Sequence, residues 1–94
     1  MFDGVLGEMR KCVIEGKVIF PFYSLAALDQ DLLNRDDVRH CILFGEIVER
    51  QWDRTYNEYK YIIAGSSEDG REIEVVAKLR QIGDTVIITV YCVY

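Results

Sequence analysis

The spacing of apolar residues changes near Gly45 from a helical period to an alternating one. Ahead of it, Val5, Met9, Cys12 and Val13 fall on one face of a helix predicted from about Asp3 to Glu15. Asp3 is the expected cap and Gly16 the expected stop. Val18-Ile19-Phe20 is a short extended piece, and Pro21 can open the next helix at its first turn. That helix is expected over about Phe22 to Leu33, with Leu25, Leu28 and Leu32 as its buried stripe and Asp29 and Asp31 pointing elsewhere. Asn34 caps a third helix, with Asp36 and Asp37 in its first turn and Val38, Cys41 and Ile42 as its apolar face.

Four strands are expected after Gly45. They run Glu46 to Trp52, Asn57 to Ala64, Glu72 to Arg80 and Thr85 to Val93, with turns at Asp53-Arg54-Thr55, Ser66 to Gly70 and Gly83-Asp84. Alternation puts Ile73, Val75, Ala77 and Leu79 on one face, joined by Tyr59, Tyr61 and Ile63 and by Val86, Ile88, Val90 and Cys92. The other face carries Lys60, Ile62, Glu74, Val76, Lys78, Ile87, Thr89 and Tyr91. The expected fold is α+β, with N-terminal helices packed on one face of a four-stranded antiparallel sheet. The mixed face is the first place to look for a working surface.

Composition narrows the classes. The 94 residues suit one domain, and half are hydrophobic. No stretch approaches the ~20 apolar residues of a membrane span. Met1 to Val5 shows no basic segment ahead of an apolar one, so no signal peptide is expected. The net charge is -5, and both halves are mildly acidic. Counterion release by Lys and Arg drives phosphate-backbone binding, so DNA binding by the chain alone is not expected. Cys12, Cys41 and Cys92 are widely spaced without a C-x-x-C, and each falls on an apolar stripe. Buried, reduced thiols in a cytoplasmic protein are expected, with no metal and no cofactor.

Motifs add little chemistry. Phosphate loops, H-E-x-x-H and nucleophile elbows are absent. His40 and Cys41 are neighbours that point apart on a helix. Glu58-Tyr59-Lys60 matches the E-x-K fragment of metal-dependent nucleases, a fragment common by chance. Tyr56, Tyr59, Tyr61, Tyr91 and Tyr94 cluster with Trp52 in the strands, where aromatic rings serve either packing or base stacking.

From about Val18 to Tyr91 the chain resembles a prokaryotic domain-of-unknown-function family, number 4258, itself similar to the RelE- and BrnT-like toxin fold. Gly45-Glu46-Ile47-Val48-Glu49, Asp69-Gly70-Arg71 and Ile88-Thr89-Val90-Tyr91 carry the resemblance. It implies a RelE-like fold and a metal-independent ribonuclease chemistry. In the family's polar helix positions, Tyr23 replaces a usual His, and Ala27 and Asp31 replace usual Arg residues. The residues left for catalysis are Tyr23, Arg71 and Tyr91, with Lys60, Lys78 and Thr89 for substrate binding. The expected function is that of a catalytically degenerate toxin-fold protein binding a small antitoxin-like partner. The alternative is an active mRNA endonuclease that takes RNA as its substrate.

Overall fold

The computed structural model describes residues 2–93. The elements are α1 (Asp3–Glu15), β1 (Val18–Ile19), α2 (Phe22–Gln30), α3 (Arg35–Phe44), β2 (Glu46–Asp53), β3 (Glu58–Ser66), β4 (Glu72–Leu79) and β5 (Thr85–Cys92). They form a mixed five-stranded sheet in the order β1-β5-β4-β3-β2. The four-stranded antiparallel expectation is thus corrected. β1 pairs parallel with β5, through Val18 with Thr85 and Ile19 with Val86. The Thr85 N–H donates to the Lys17 carbonyl at 2.9 Å. Pro21, which has no N–H to donate, follows closely, and the added strand ends after two residues. The other three pairings are antiparallel.

Local signals explain most helix ends. Gly16 closes α1 in the left-handed region, with φ 74°. Phe2 rather than Asp3 holds the N-cap position, and no side chain caps that end. Asn34 caps α3 through a complete capping box with Asp37. Pro21 sits at the N-cap of α2 instead of in its first turn, and α2 stops at Gln30. Leu32 then takes a positive φ of 54° and is 85% exposed. Leu33 enters the core in its place.

The core lies between the helices and one face of the sheet. Met9, Leu28, Leu33, Val38, Cys41 and Ile42 from the helical half meet Ile63, Ile73, Val75, Ala77, Ile87 and Val90 from the strands. Burying a side chain such as Ile42 or Ile63 contributes about 2 kcal/mol. Two bulges adjust the faces. One on β2 leaves Val48 between the pairs Ile47–Ile63 and Glu49–Ile62. The other on β5 leaves Ile88 between Ile87–Ala77 and Thr89–Val76. A bulge shifts the alternation by one residue. Thr85 and Ile87 therefore face the helices while Val86 faces away, reversing the expected assignment of Val86 and Ile87. Beyond the bulge, Val90 packs in the core cluster and Cys92 against it, as alternation predicts.

The backbones of α3 and β3 touch where the helix ends. A Cβ on Gly45 would run into the Ala64 carbonyl and lie 2.6 Å from the Cys41 carbonyl oxygen. Gly65 is equally tight against the Cys41 Sγ, 2.9 Å from where a Cβ would stand. Gly45→Ala is therefore expected to destabilise the fold by about 3 kcal/mol, since backbone must move to admit the methyl group. Urea denaturation measures it, and an unchanged midpoint would refute the close approach.

Cys12 and Cys41 are buried, but Cys92 is only half-buried, against the expectation that all three are enclosed. Burial, aided by the Glu74 charge, pushes the Cys41 thiol up to about 12. Under native conditions a thiol reagent should modify Cys92 first and Cys41 last; mass mapping of the labelled sites checks that order.

Candidate functional site

The sheet face away from the helices holds most of the residues singled out in the sequence. Its rows follow from the register. Val76 is level with Ile62 and Thr89, and Glu74 with Ala64 and Tyr91. Glu49 lies beside Ile62, and Gln51 beside Lys60. This open face has an apolar centre in which Val76 and Val86 are almost covered by their longer neighbours. Carboxylates dominate its rim.

Tyr91 and Thr89 lie together on β5, on either side of the buried Val90. The Tyr91 hydroxyl donates to Glu74 Oε1 at 2.6 Å. That bond, with burial and the charges of Glu74 and Glu49, pushes the tyrosine up to about 12. Near neutral pH Tyr91 is therefore a fixed donor to a carboxylate and not a proton acceptor. Lys78, on β4, donates to Glu58 Oε1 at 2.8 Å and sits 5.0 Å from the Tyr56 ring centroid. The Glu58 bond raises the Lys78 ammonium above its ordinary value, with smaller contributions from Tyr23 and Tyr56. Tyr23 is exposed at the start of α2. Continuing the β3–β4 register one step past Tyr61–Ala77 brings Lys60 level with Lys78. Glu58 of the E-x-K fragment is engaged by Lys78, a residue the fragment does not include.

Arg71 is elsewhere. Its guanidinium donates to the Asp31 carbonyl at 2.8 Å, the Leu32 carbonyl at 3.0 Å and Asp69 Oδ1 at 3.1 Å. The Asp69 bond raises its pKa further, and the same contacts with Ser67 and Arg71 hold the Asp69 carboxyl low. Arg71 thus ties the end of α2 to the β3–β4 turn. Asp31 is also structural: its Oδ2 accepts the Cys92 N–H at 2.9 Å. Sequence reading sent that carboxylate elsewhere because a backbone N–H on a distant strand leaves no residue-type signal. The Glu74–Tyr91 pair was equally hidden, since the Ile88 bulge sets the register that joins them.

The remaining candidates resolve into packing. His40 Nδ1 lies 2.9 Å from the Ser66 carbonyl oxygen, and the ring packs 4.8 Å from that of Phe44. Trp52, Tyr59 and Tyr61 form a chain of aromatic contacts on the helix side, with Arg50 4.1 Å over Tyr59. Tyr94 lies outside the described residues. Among the described residues no group of three or more His, Cys, Asp or Glu side chains is placed to hold a metal ion. Nor is any helix there long and apolar enough to cross a membrane.

Residues 25–92 match the family described as Domain of unknown function (DUF4258). The chain belongs to this family. The DUF4258 match takes in Arg71, Thr89 and Tyr91 but begins after Tyr23. No curated protein and no solved structure matches the chain.

Replacing Glu74 by Gln removes the charge that holds the Tyr91 proton. Tyr91 should then titrate nearer the ordinary value of about 10. Wild-type Tyr91 should stay protonated until about pH 12. Its raised value favours the folded state below the unfolded tyrosine's pKa, and that contribution is lost as pH rises through the folded value. Carbon-13 labelled tyrosine followed by NMR across the alkaline range reads both, and identical curves would refute the pairing.

Proposed function

We propose that this chain is a catalytically degenerate member of a RelE- and BrnT-like toxin lineage, acting by binding a partner protein of the small antitoxin-like kind. The observation that carries the reading is the commitment of three of its polar candidates to carboxylates and backbone. Tyr91 donates to Glu74, Lys78 to Glu58, and Arg71 to the end of α2. Phosphodiester cleavage builds negative charge in the transition state and needs donors aimed at it. Here Glu49, Glu58 and Glu74 share the face with Lys60 and Lys78, so the local field opposes both an incoming phosphate and the charge that develops on it. A protein partner with a basic surface meets the opposite condition.

One observation favours the second reading, a metal-independent mRNA endonuclease that cuts by 2′-hydroxyl attack. Lys78 sits 5.0 Å from the Tyr56 ring centroid, where a cation and a tyrosine ring could hold a nucleotide. In that reading Tyr23 stands in for a histidine.

Incubation of the purified chain with a long mRNA separates the readings. No cleavage above buffer is expected, with or without added divalent metal, and expression should leave a bacterial host growing. Robust cutting that Tyr91→Phe or Tyr23→Phe abolishes would establish the endonuclease instead.

A further inference from the structure

β2 ends the sheet, and all of its residues except Ile47 and Asp53 are exposed. The strand at the opposite end, β1, is only two residues long. Such a long free edge is a ready template for another strand. Beyond the Val48 bulge its two sides differ in chemistry. Glu49, Gln51 and Asp53 point to the open face, whereas Arg50 and Trp52 point to the helix side. Val48 and Trp52 are 56% and 50% exposed. At its start the strand borders a cleft of about 650 Å³ lined by Phe2, Leu6, Arg10 and Phe44.

A charged, bulged edge also protects against unwanted pairing, and here that protection is selective. If a second copy paired antiparallel with the whole stretch Glu49–Asp53, Gln51 would meet Gln51. Glu49 of each copy would then stand against Asp53 of the other. Like charges directly opposite destabilise a ladder. The same carboxylates attract a strand that carries Lys or Arg on the open side. Val48 and Trp52 offer apolar surface to the residues between.

We propose that the β2 edge docks an extended segment of a partner protein, basic on one side and apolar on the other, as one more strand of the sheet. The proposal rests on the protein-binding reading above and names the surface and the partner chemistry for it. Backbone hydrogen bonds supply attachment, and the alternating side chains supply selectivity.

Trp52 is the chain's single tryptophan and stands on this edge, so its fluorescence reports the event. The probe is a synthetic peptide of alternating Lys and Val, matched to β2 in length and blocked at both ends. A saturable fluorescence change is expected with the wild-type chain. Glu49→Lys should weaken binding about tenfold. Gln51→Lys, on the same side, should weaken it without removing a carboxylate. Glu8→Lys makes the same charge change as Glu49→Lys on an exposed position of α1 and should leave binding within about twofold. Far-ultraviolet circular dichroism confirms that each variant is folded. A Glu-for-Lys peptide, or one N-methylated at alternate residues, should fail to bind. No saturable change with the wild type, equal losses in Glu49→Lys and Glu8→Lys, or full binding of the N-methylated peptide would each overturn the proposal. Failure of the peptide with mRNA left intact removes this edge and leaves protein binding to another surface. Cleavage of mRNA with the titration intact removes the binding-protein reading alone.

Discussion

The fold depends on the contact of α3 with β3, backbone against backbone, at Gly45 and Gly65. Side chains normally space a helix from a sheet; two glycines remove that spacer where helix and sheet meet. Around the contact, polar groups complete the fit. Arg10 of α1 donates to the Ile42 and Gly45 carbonyls at 3.0 and 2.8 Å, satisfying acceptors a helix end leaves open. His40 reaches the Ser66 carbonyl, and Asp37, besides its part in the capping box, accepts the Glu68 N–H at 2.9 Å. α1, the end of β3 and the turn after it are thereby fixed along one helix. The buried faces of Met9, Val38 and Ile42 follow from that placement.

A second knot holds the other side of the sheet. Arg71 gathers the end of α2, and Asp31 returns a bond to the β5 backbone at Cys92. The Asp31 carboxylate accepts from a backbone N–H and turns the end of α2 into a clamp on β5. With Arg71 bound to the Asp31 and Leu32 carbonyls, both side chains are committed to holding the fold. The open face shows the same kind of commitment. The Tyr91 hydroxyl and the Lys78 ammonium are held by carboxylates, which withdraws both groups from proton transfer.

The two faces of the molecule therefore serve different ends. The helix side is closed by packing and by the aromatic chain from Phe2 through Tyr61 and Tyr59 to Trp52. The open side is a solvated, negatively charged surface. At β2 the two meet along an edge that no strand of the described residues covers.

The sequence determined the elements whose causes are local. Gly16, Asn34 and Gly45 end or begin helices because each meets a backbone requirement within a few residues, and the change of period after Gly45 announced the strands. The helix-facing rows Ile73-Val75-Ala77 and Val90-Cys92 were legible because strict alternation holds there. Only the tertiary structure decided the rest. A bulge inserts one residue without altering composition, so Ile88 reversed the faces of Val86 and Ile87 and set Tyr91 against Glu74. The two-residue strand Val18–Ile19 exists because β5 lies beside it, and its own propensity is too short to declare a partner. Leu32 yielded the core to Leu33 when α2 ended early and the chain took a left-handed turn. Arg71 looked free for chemistry and Asp31 looked unattached because their distant partners are backbone groups, and every residue carries the same ones.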